Sequence, residues 1–297
     1  MNNLTDGNLA LTGYNDIFKS TIKSLAISSG ESIVEIPLLD LHPQEFHPFN
    51  VKDDAEMNRL VKSIQNQGII TPGLIRPRVD GGYEIVCGNR RKRACELAGI
   101  PTMPVIIREM DDHIAAIVMV DSNLESREKL LPSEKAWAYK IKMEALNHNG
   151  VKGDMHSVDV LVEQTGESKN QIFRLIRLTE LVITLLDRVD LNKLSFTAAV
   201  ELSYLTQIEQ TADAAAMDMH EVKPSLSQAV RLKKLNQSGE LTIELIDKIL
   251  SEAKKPPISE PKGAMRFRKY FPPDYSAKQM ETVIIELLTN WKGGVII

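Results

Sequence analysis

Cysteine is scarce: only Cys87 and Cys95 stand among the 297 residues, and their spacing offers neither a disulfide framework nor a metal-binding motif. Such usage fits a reducing compartment. No uninterrupted apolar run approaches the roughly 18–20 residues of a membrane span, and no basic stretch followed by a hydrophobic one opens the chain. A cytoplasmic protein with no membrane partner is therefore expected. An excess of positive charge is also lacking. The net charge of −4 argues against a protein that coats nucleic acid through bulk charge, though it leaves room for a local site. The six histidines, His42, His47, His113, His148, His156 and His220, are scattered, and no pair has the i, i+3 or i+4 relation of a helical metal site. There is no internal repeat.

What is present is an ordinary globular composition, 43% apolar and 26% charged, over a length that suits two or three modest domains. Residues 1–30 read as a polar arm. A strand is expected at Ile33–Ile36, stopped by Pro37, and the two prolines within Leu41–Phe49 read as an irregular connection. From Asp53 to Gln67 the residues Met57, Leu60, Val61 and Ile64 keep the spacing of one helix face, and Gly68 suits the C-terminal cap. Two strands, Leu74–Val79 and Tyr83–Cys87, flank an Asp80-Gly81 turn. A helix over Arg90–Ala98, a strand at Val105–Ile107 and a helix towards Asp121 follow. Residues 31–130 thus read as a small α/β domain. From Pro132 to about Ile249 the pattern predicts helices throughout, one of them capped by Ser133 and carrying Trp137, Ile141 and Ala145 on a single face. Residues 131–250 form this all-helical domain. The three prolines of Ser251–Lys262 mark a linker, so 251–297 is linker plus a last helix, whose Met280, Val283, Ile284 and Leu287 suit either dimerisation or packing within the chain.

Two stretches carry chemistry. The string CGNRRKRA lies where a strand ends and a helix begins, so the N–H groups from Gly88 to Arg91 would be unpaired donors of a helix N-terminus. Glycine allows close approach to a ligand, and the forked guanidinium groups of Arg90 and Arg91 suit phosphate oxygens. A solvated basic first turn is the competing reading, although four cations at the positive end of a helix are unfavourable unless something neutralises them. The second stretch, Ser157–Thr165, Gly166, then Ser168–Leu178, has the proportions of a helix-turn-helix. Ser168 and Gln171 match a capping box, while Ile172, Leu175 and Ile176 point inward together. That leaves Ser168, Lys169, Asn170, Gln171, Arg174 and Arg177 for solvent or for base edges in a major groove. An ordinary helical hairpin with a polar exterior has the same spacing.

Several motifs in one order then point to a family. The segments SIQNQGIITPGLIRP, DGGYEIVCGNRRKRACELAG, PVIIREMDD and VDSNLESREKLLPSEKAWAY, between Ile36 and about Tyr139, resemble the N-terminal domain of ParB-type DNA partition proteins. TGESKNQIFRLIRLTEL and LNKLSFTAAVEL, within Ser157–Leu205, resemble the ParB central domain. The resemblance implies an α+β ParB/sulfiredoxin-like domain followed by an all-α helix-turn-helix domain. It also implies CTP and Mg2+ as ligands, a homodimer closing as a clamp on a palindromic DNA site, a nucleoid-associated location, and a ParA-type ATPase as partner. Carried over, Thr71 and Pro72 belong to the first nucleotide motif, Gly88, Asn89, Arg90 and Arg91 to the second, and Asn123 to the third, near the metal. Two departures bear on turnover. Asn89 stands where the family has a glutamate implicated in hydrolysis, and Ser122-Asn123-Leu124-Glu125-Ser126 replaces Glu-Asn-Leu-Gln-Arg. A slow CTPase, or one using Asp121 or Glu125, is expected. At Thr197–Val200 the family's Gly-His-Ala-Arg is also replaced. Two alternatives stay open: a ParB-like transcription regulator without nucleotide switching, and a sulfiredoxin-like nucleotide-dependent enzyme using Cys87 at the phosphate loop. Arg174→Ala is expected to weaken binding to specific DNA by roughly 1–3 kcal/mol with little change on random DNA. Equal losses in a binding titration on both DNAs would assign Arg174 to phosphate instead.

Overall fold

A computed structural model describes residues 31–126, 129–148, 154–252, 268–272 and 274–292. The expected arm at 1–30 and most of the linker at 251–262 lie outside the described residues. The chain divides into two compact units, with the boundary between Leu250 and Ser251.

The first unit begins with β1 (Ile33–Pro37), a short 3-10 turn, and β2 (Leu41–Pro43). α1 (Ala55–Gln67) starts where the Asp54 carboxylate accepts the Met57 N–H, and Gly68 ends it at φ 70°. β3 (Gly73–Pro77) and β4 (Tyr83–Cys87) form a hairpin, α2 (Asn89–Ala98) springs from the end of β4, and β5 (Thr102–Ile107) completes a five-stranded sheet in the order β1-β5-β3-β4-β2. The sheet is mixed: β1/β5 and β3/β4 are antiparallel, β3/β5 and β2/β4 parallel. Two differences from the sequence reading have local causes. Val79 belongs to the hairpin loop rather than to β3, because β3 and β4 part company after Pro77 pairs with Tyr83. Leu41–Pro43, expected to be irregular, is a strand because it pairs with β4 on its open edge, where the Pro43 ring costs no ladder bond towards a further strand.

Both sheet faces are covered. Ile75, Ile85, Met103 and Val105 pack with Met57 and Ile64 of α1 and with Ala94 and Cys95 of α2. The opposite face, with Leu74, Val86, Cys87 and Ile106, joins Ala115, Val118 and Met119 of α3 (Asp112–Ser126) in a core that continues into the helices beyond. Those helices are α4 (Pro132–His148), α5 (Asp154–Thr165), α6 (Lys169–Arg177), α7 (Ile183–Asp190), α8 (Phe196–Leu202), α9 (Gln207–Met219), α10 (Leu226–Ser238) and α11 (Ile243–Ser251). The architecture is therefore α+β followed by all-α.

α4 keeps Ala145 of its expected face buried and Ile141 packed against the core, but Trp137 does not join them. Its buried residues are Glu134, Ala136, Ala138, Tyr139, Lys142, Ala145 and Leu146, whereas Trp137 is half-exposed, edge-on to Phe46 at 5.0 Å. Two charged residues point inward because each is fully employed. The Glu134 carboxylate accepts the N–H groups of Asn50 and Leu131, both at 3.1 Å, tying the segment after β2 to the start of α4. Lys142, at 0% exposure, donates from Nζ to Asp121 Oδ1 of α3 and to Gln164 Oε1 of α5. Gln164 Nε2 closes the triangle on Asp121 Oδ1 at 2.9 Å. Burial lowers the Lys142 pKa, with the Asp121 carboxylate opposing that shift. Ser133 lies inside α4 rather than capping it, and donates its N–H and hydroxyl to Asp190 at the end of α7.

The second unit contains α12 (Ala277–Lys292). Met280 is buried and Val283 and Ile284 are half-buried, but Leu287 of the expected apolar side is exposed, as is Trp291.

Asp213 on α9 is buried at an energetic cost. It is 0% exposed, neither carboxylate oxygen has a hydrogen-bond partner among the described residues, and burial pushes its pKa up to about 7, with Arg188 pulling weakly the other way. An unfolded aspartic acid titrates near pH ~4, so the folded chain holds the proton more tightly. The destabilisation is absent below about pH 4, grows as pH rises, and is complete above about 7. Asp213→Asn should therefore be more stable than the unmodified chain by roughly 2–4 kcal/mol at pH 8, since each tenfold gain in proton affinity on folding is worth about 1.4 kcal/mol. The advantage should shrink towards pH 5. Urea unfolding at both pH values measures it, and parallel pH profiles would show that Asp213 is not the titrating group.

Candidate nucleotide and DNA sites

The end of β4 fixes the first site. Cys87 is buried and Gly88 turns at φ 130°, a conformation an L-side chain rarely adopts. A Cβ on Gly88 would also come within 3.3 Å of Gly73 Cα, and a Cβ on Gly73 would strike Met103 Cε at 2.6 Å. Gly88 is thus the glycine that lets the turn lie against the start of β3, whereas a side chain at Gly73 would require the flexible end of Met103 to shift. Gly88 offers no side-chain cap, so the N–H groups of Asn89, Arg90 and Arg91 precede the first intrahelical bond, from Lys92 N to Gly88 O. Asn89 Nδ2 is covered and has no hydrogen-bond partner among the described residues.

The four cations of this turn have distinct fates. Arg93 makes a two-pronged bond to Asp53, at 2.7 and 3.1 Å, and also reaches Glu96, while Lys92 pairs with Glu96 at 3.5 Å. Arg90 reaches Glu56 of α1 at a loose 3.4 Å. Arg91 turns back instead, donating from Nη1 to the carbonyls of Thr71, at 2.6 Å, and Pro72. The first two expected nucleotide motifs therefore meet in space. Desolvation draws the Arg91 pKa down from the ordinary arginine range, although a guanidinium stays charged.

The third motif lies on α3, packed behind the turn. Cys87 Sγ donates to Ser122 Oγ at 3.1 Å, and Ser122 Oγ donates to Met119 O. Burial raises the Cys87 pKa, so the thiol is held in its unreactive form. Asn123 donates from Nδ2 to Met119 O at 2.8 Å, which leaves its Oδ1 as the acceptor available to a cation. Asp121 is buried in its pair with Lys142 and does not face solvent, while Glu125 is exposed, its pKa raised by partial burial and the Asp121 charge. No group of three or more His, Cys, Asp or Glu that could hold a metal occurs among the described residues. No helix among them is long and apolar enough to cross a membrane.

α5 and α6 supply the second site. Ser168 caps α6 by accepting the Gln171 N–H at 3.3 Å. The return bond that would complete a capping box is made at the starts of α9 and α10 but not here. Ile172 and Leu175 are buried, as expected, and Ser168 and Asn170 are exposed. Lys169 is ion-paired to Asp159 of α5, and the Arg174 guanidinium lies 5.0 Å from the Phe196 ring centre. Arg177 donates to Ser203 Oγ and O at 3.1 and 2.8 Å and stacks 4.2 Å over Tyr204, whose ring also carries Lys233. These bonds make Arg177 a strut between α6 and the end of α8. Two features escaped the sequence pattern. Phe173 is exposed on α6 among the polar residues, visible beforehand only as an apolar residue off the inward stripe. His113 and His148, far apart in sequence, stack at 4.5 Å because α3 and α4 run side by side.

Comparison with known proteins finds relatives over about half of the chain. Two curated relatives are the nucleoid occlusion protein of Bacillus cereus strain B4264, 34% identical over 151 residues, and the stage 0 sporulation protein J of Bacillus subtilis strain 168, 33% identical over 153. The matches cover 51% and 52% of this chain, which spans about half the length of those relatives, 49% and 51%. A crystal structure of C-terminally truncated ParB from Caulobacter crescentus complexed to the centromeric parS site superposes with a TM-score of 0.40 at 21% identity. It covers 74% of this chain and 100% of its own, a likeness too low to add to the assignment. The ParB N-terminal domain family model matches residues 23–124, so the chain carries a ParB N-terminal domain there.

Proposed function

We propose that this chain is a sequence-specific DNA-binding partition protein whose ParB N-terminal domain binds CTP and whose α6 reads a palindromic DNA site, two copies closing as a clamp. The carrying observation is the fold-back of Arg91 onto Thr71 O and Pro72 O beneath the open N-terminus of α2. It gathers backbone donors, a poorly solvated guanidinium and the Thr71-Pro72 loop into one small cradle, suited to a polyanionic ligand. Asn89 Nδ2 supplies a further donor that a phosphate oxygen would satisfy.

In the bound state, Gly88, Asn89, Arg90 and Arg91 would hold the phosphates and Thr71 and Pro72 would border the nucleotide. Asn123 Oδ1 would meet a magnesium ion carried in by the triphosphate, a hard cation that keeps most of its shell as water and phosphate oxygen. The metal would neutralise phosphate charge. Asn89 brings no carboxylate, and Asp121 is occupied by Lys142, so water activation is left without a general base beyond exposed Glu125. Binding with slow turnover follows, with nucleotide acting by its preference for the closed state. Buried, protonated Cys87 disfavours the sulfiredoxin-like alternative. For DNA, Ser168, Lys169, Asn170, Gln171 and Arg174 are the reading set, with Arg177 orienting α6 from its Ser203 and Tyr204 contacts. Two-fold symmetry of the dimer, with α12 as a candidate dimer element, would match a palindrome. A ParA-type ATPase is the proposed partner, and the nucleoid the proposed location.

Labelled CTP, titrated with magnesium in the presence and absence of DNA selected by the protein itself, should give saturable uptake that DNA strengthens. Arg91→Ala should weaken it by about 10–100-fold, the worth of one charged hydrogen-bonding group. Normal DNA binding with no uptake would leave a transcription regulator. Asn89→Glu should raise CTP turnover above that of the unmodified chain, and an unchanged rate would show that the missing acid is not what limits hydrolysis.

A further inference from the structure

Exposed apolar side chains are common on any protein, so the exposure of Phe173, 42%, means little by itself. Its position gives it meaning. On α6 the residues Asn170, Phe173, Arg174 and Arg177 fall at i, i+3, i+4 and i+7 and so share one face, opposite buried Ile172 and Leu175. Asn170 is exposed, and Arg174 is steadied by Phe196 at 5.0 Å. Arg177, at the far end of that face, is already held by Ser203 and Tyr204. The centre of the face is therefore an aromatic ring flanked by an amide and a guanidinium, rather than an unbroken polar stripe.

Major-groove edges ask for this mixture. Amide and guanidinium groups match the hydrogen-bonding edges of adenine and guanine, and the one apolar group that the groove displays is the C5-methyl of thymine. A phenyl ring fixed on a helix can cover that methyl with little loss of side-chain freedom, since only two torsions are involved. Cytosine at the same place would present hydrogen in place of the methyl and an amino group in place of the carbonyl, so the ring would face a polar edge with nothing to offer it. We infer that Phe173 is a specificity-determining residue, selecting thymine in each half-site by contact with its methyl group while Asn170 and Arg174 read neighbouring bases. This rests on the proposed DNA-reading role of α6.

The test uses the full-length chain. Its preferred duplex is first selected from a random-sequence library, and each thymine is then replaced in turn by deoxyuridine, which removes the methyl and nothing else. At one symmetry-related thymine pair, the unmodified protein should bind the deoxyuridine duplex about fourfold more weakly per half-site, the worth of one methyl-sized apolar group. Phe173→Ala should bind thymine and deoxyuridine duplexes alike, with affinity close to that of the unmodified protein for deoxyuridine. Phe173→Leu, which keeps an apolar tip, should retain part of the preference, and matching thermal melts identify folded variants. Specific binding that is indifferent to every thymine methyl, or a preference that survives in folded Phe173→Ala, overturns the inference and leaves the DNA-reading role of α6 intact. If the unmodified chain enriches no sequence at all, that role falls, and the inference with it.

Discussion

A lysine that never meets water must find its charge answered inside the protein, and Lys142 governs how the first unit is assembled. Its Nζ reaches one group on each of two other helices, Asp121 on α3 and Gln164 on α5. Asp121 directly precedes Ser122 and Asn123, which lie behind the Gly88 turn, and α5 is the helix against which α6 is set. The three helices therefore satisfy one another's buried polar groups or none of them is satisfied, because an unpaired charge in such a place costs far more than the pair returns. Glu134 makes a second tie of the same kind, from the start of α4 to Asn50. The two proposed sites are thus built on one continuous framework.

The turn from Gly88 into α2 shows how local charge is managed within that framework. A helix that opens on Arg90, Arg91, Lys92 and Arg93 works against its own dipole. Asp53, Glu56 and Glu96 answer three of these cations from outside the turn, while among the described residues Arg91 is answered by carbonyl dipoles. A full negative charge would be a stronger partner than two carbonyls, so the arrangement favours an anion near Arg91 without needing one to fold. Gly88 brings the turn close to the backbone of Gly73, whose Cα would stand 3.3 Å from a Cβ on Gly88.

Features set by neighbouring residues were legible in the sequence. Gly68 after α1 and Ser168 before α6 act through backbone bonds a few residues long, and each stands at the expected position. The proposed nucleotide residues come from the order of several motifs, and the fold brings Thr71 and Pro72 of one motif to Arg91 of the next. What escaped was decided at long range. β2 exists only by pairing with β4, and the buried face of α4 differs from the one its periodicity suggests because Glu134 and Lys142 lie inside while Trp137 does not. The partners that keep those charges inside lie on other segments, so no periodicity of α4 records them. Arg177 has the spacing of a surface arginine, and only the fold brings Ser203 and Tyr204 around it.

If the buried charge truly binds α3, α4 and α5 into one framework, Lys142 and Asp121 must be energetically inseparable. A double-mutant cycle with Lys142→Met and Asp121→Leu, measured by urea unfolding, puts this most directly. Each single substitution should cost about 3–5 kcal/mol, and the double variant should recover much of that loss, since removing both charges leaves neither stranded. Losses that simply add to within about 0.5 kcal/mol would contradict the account.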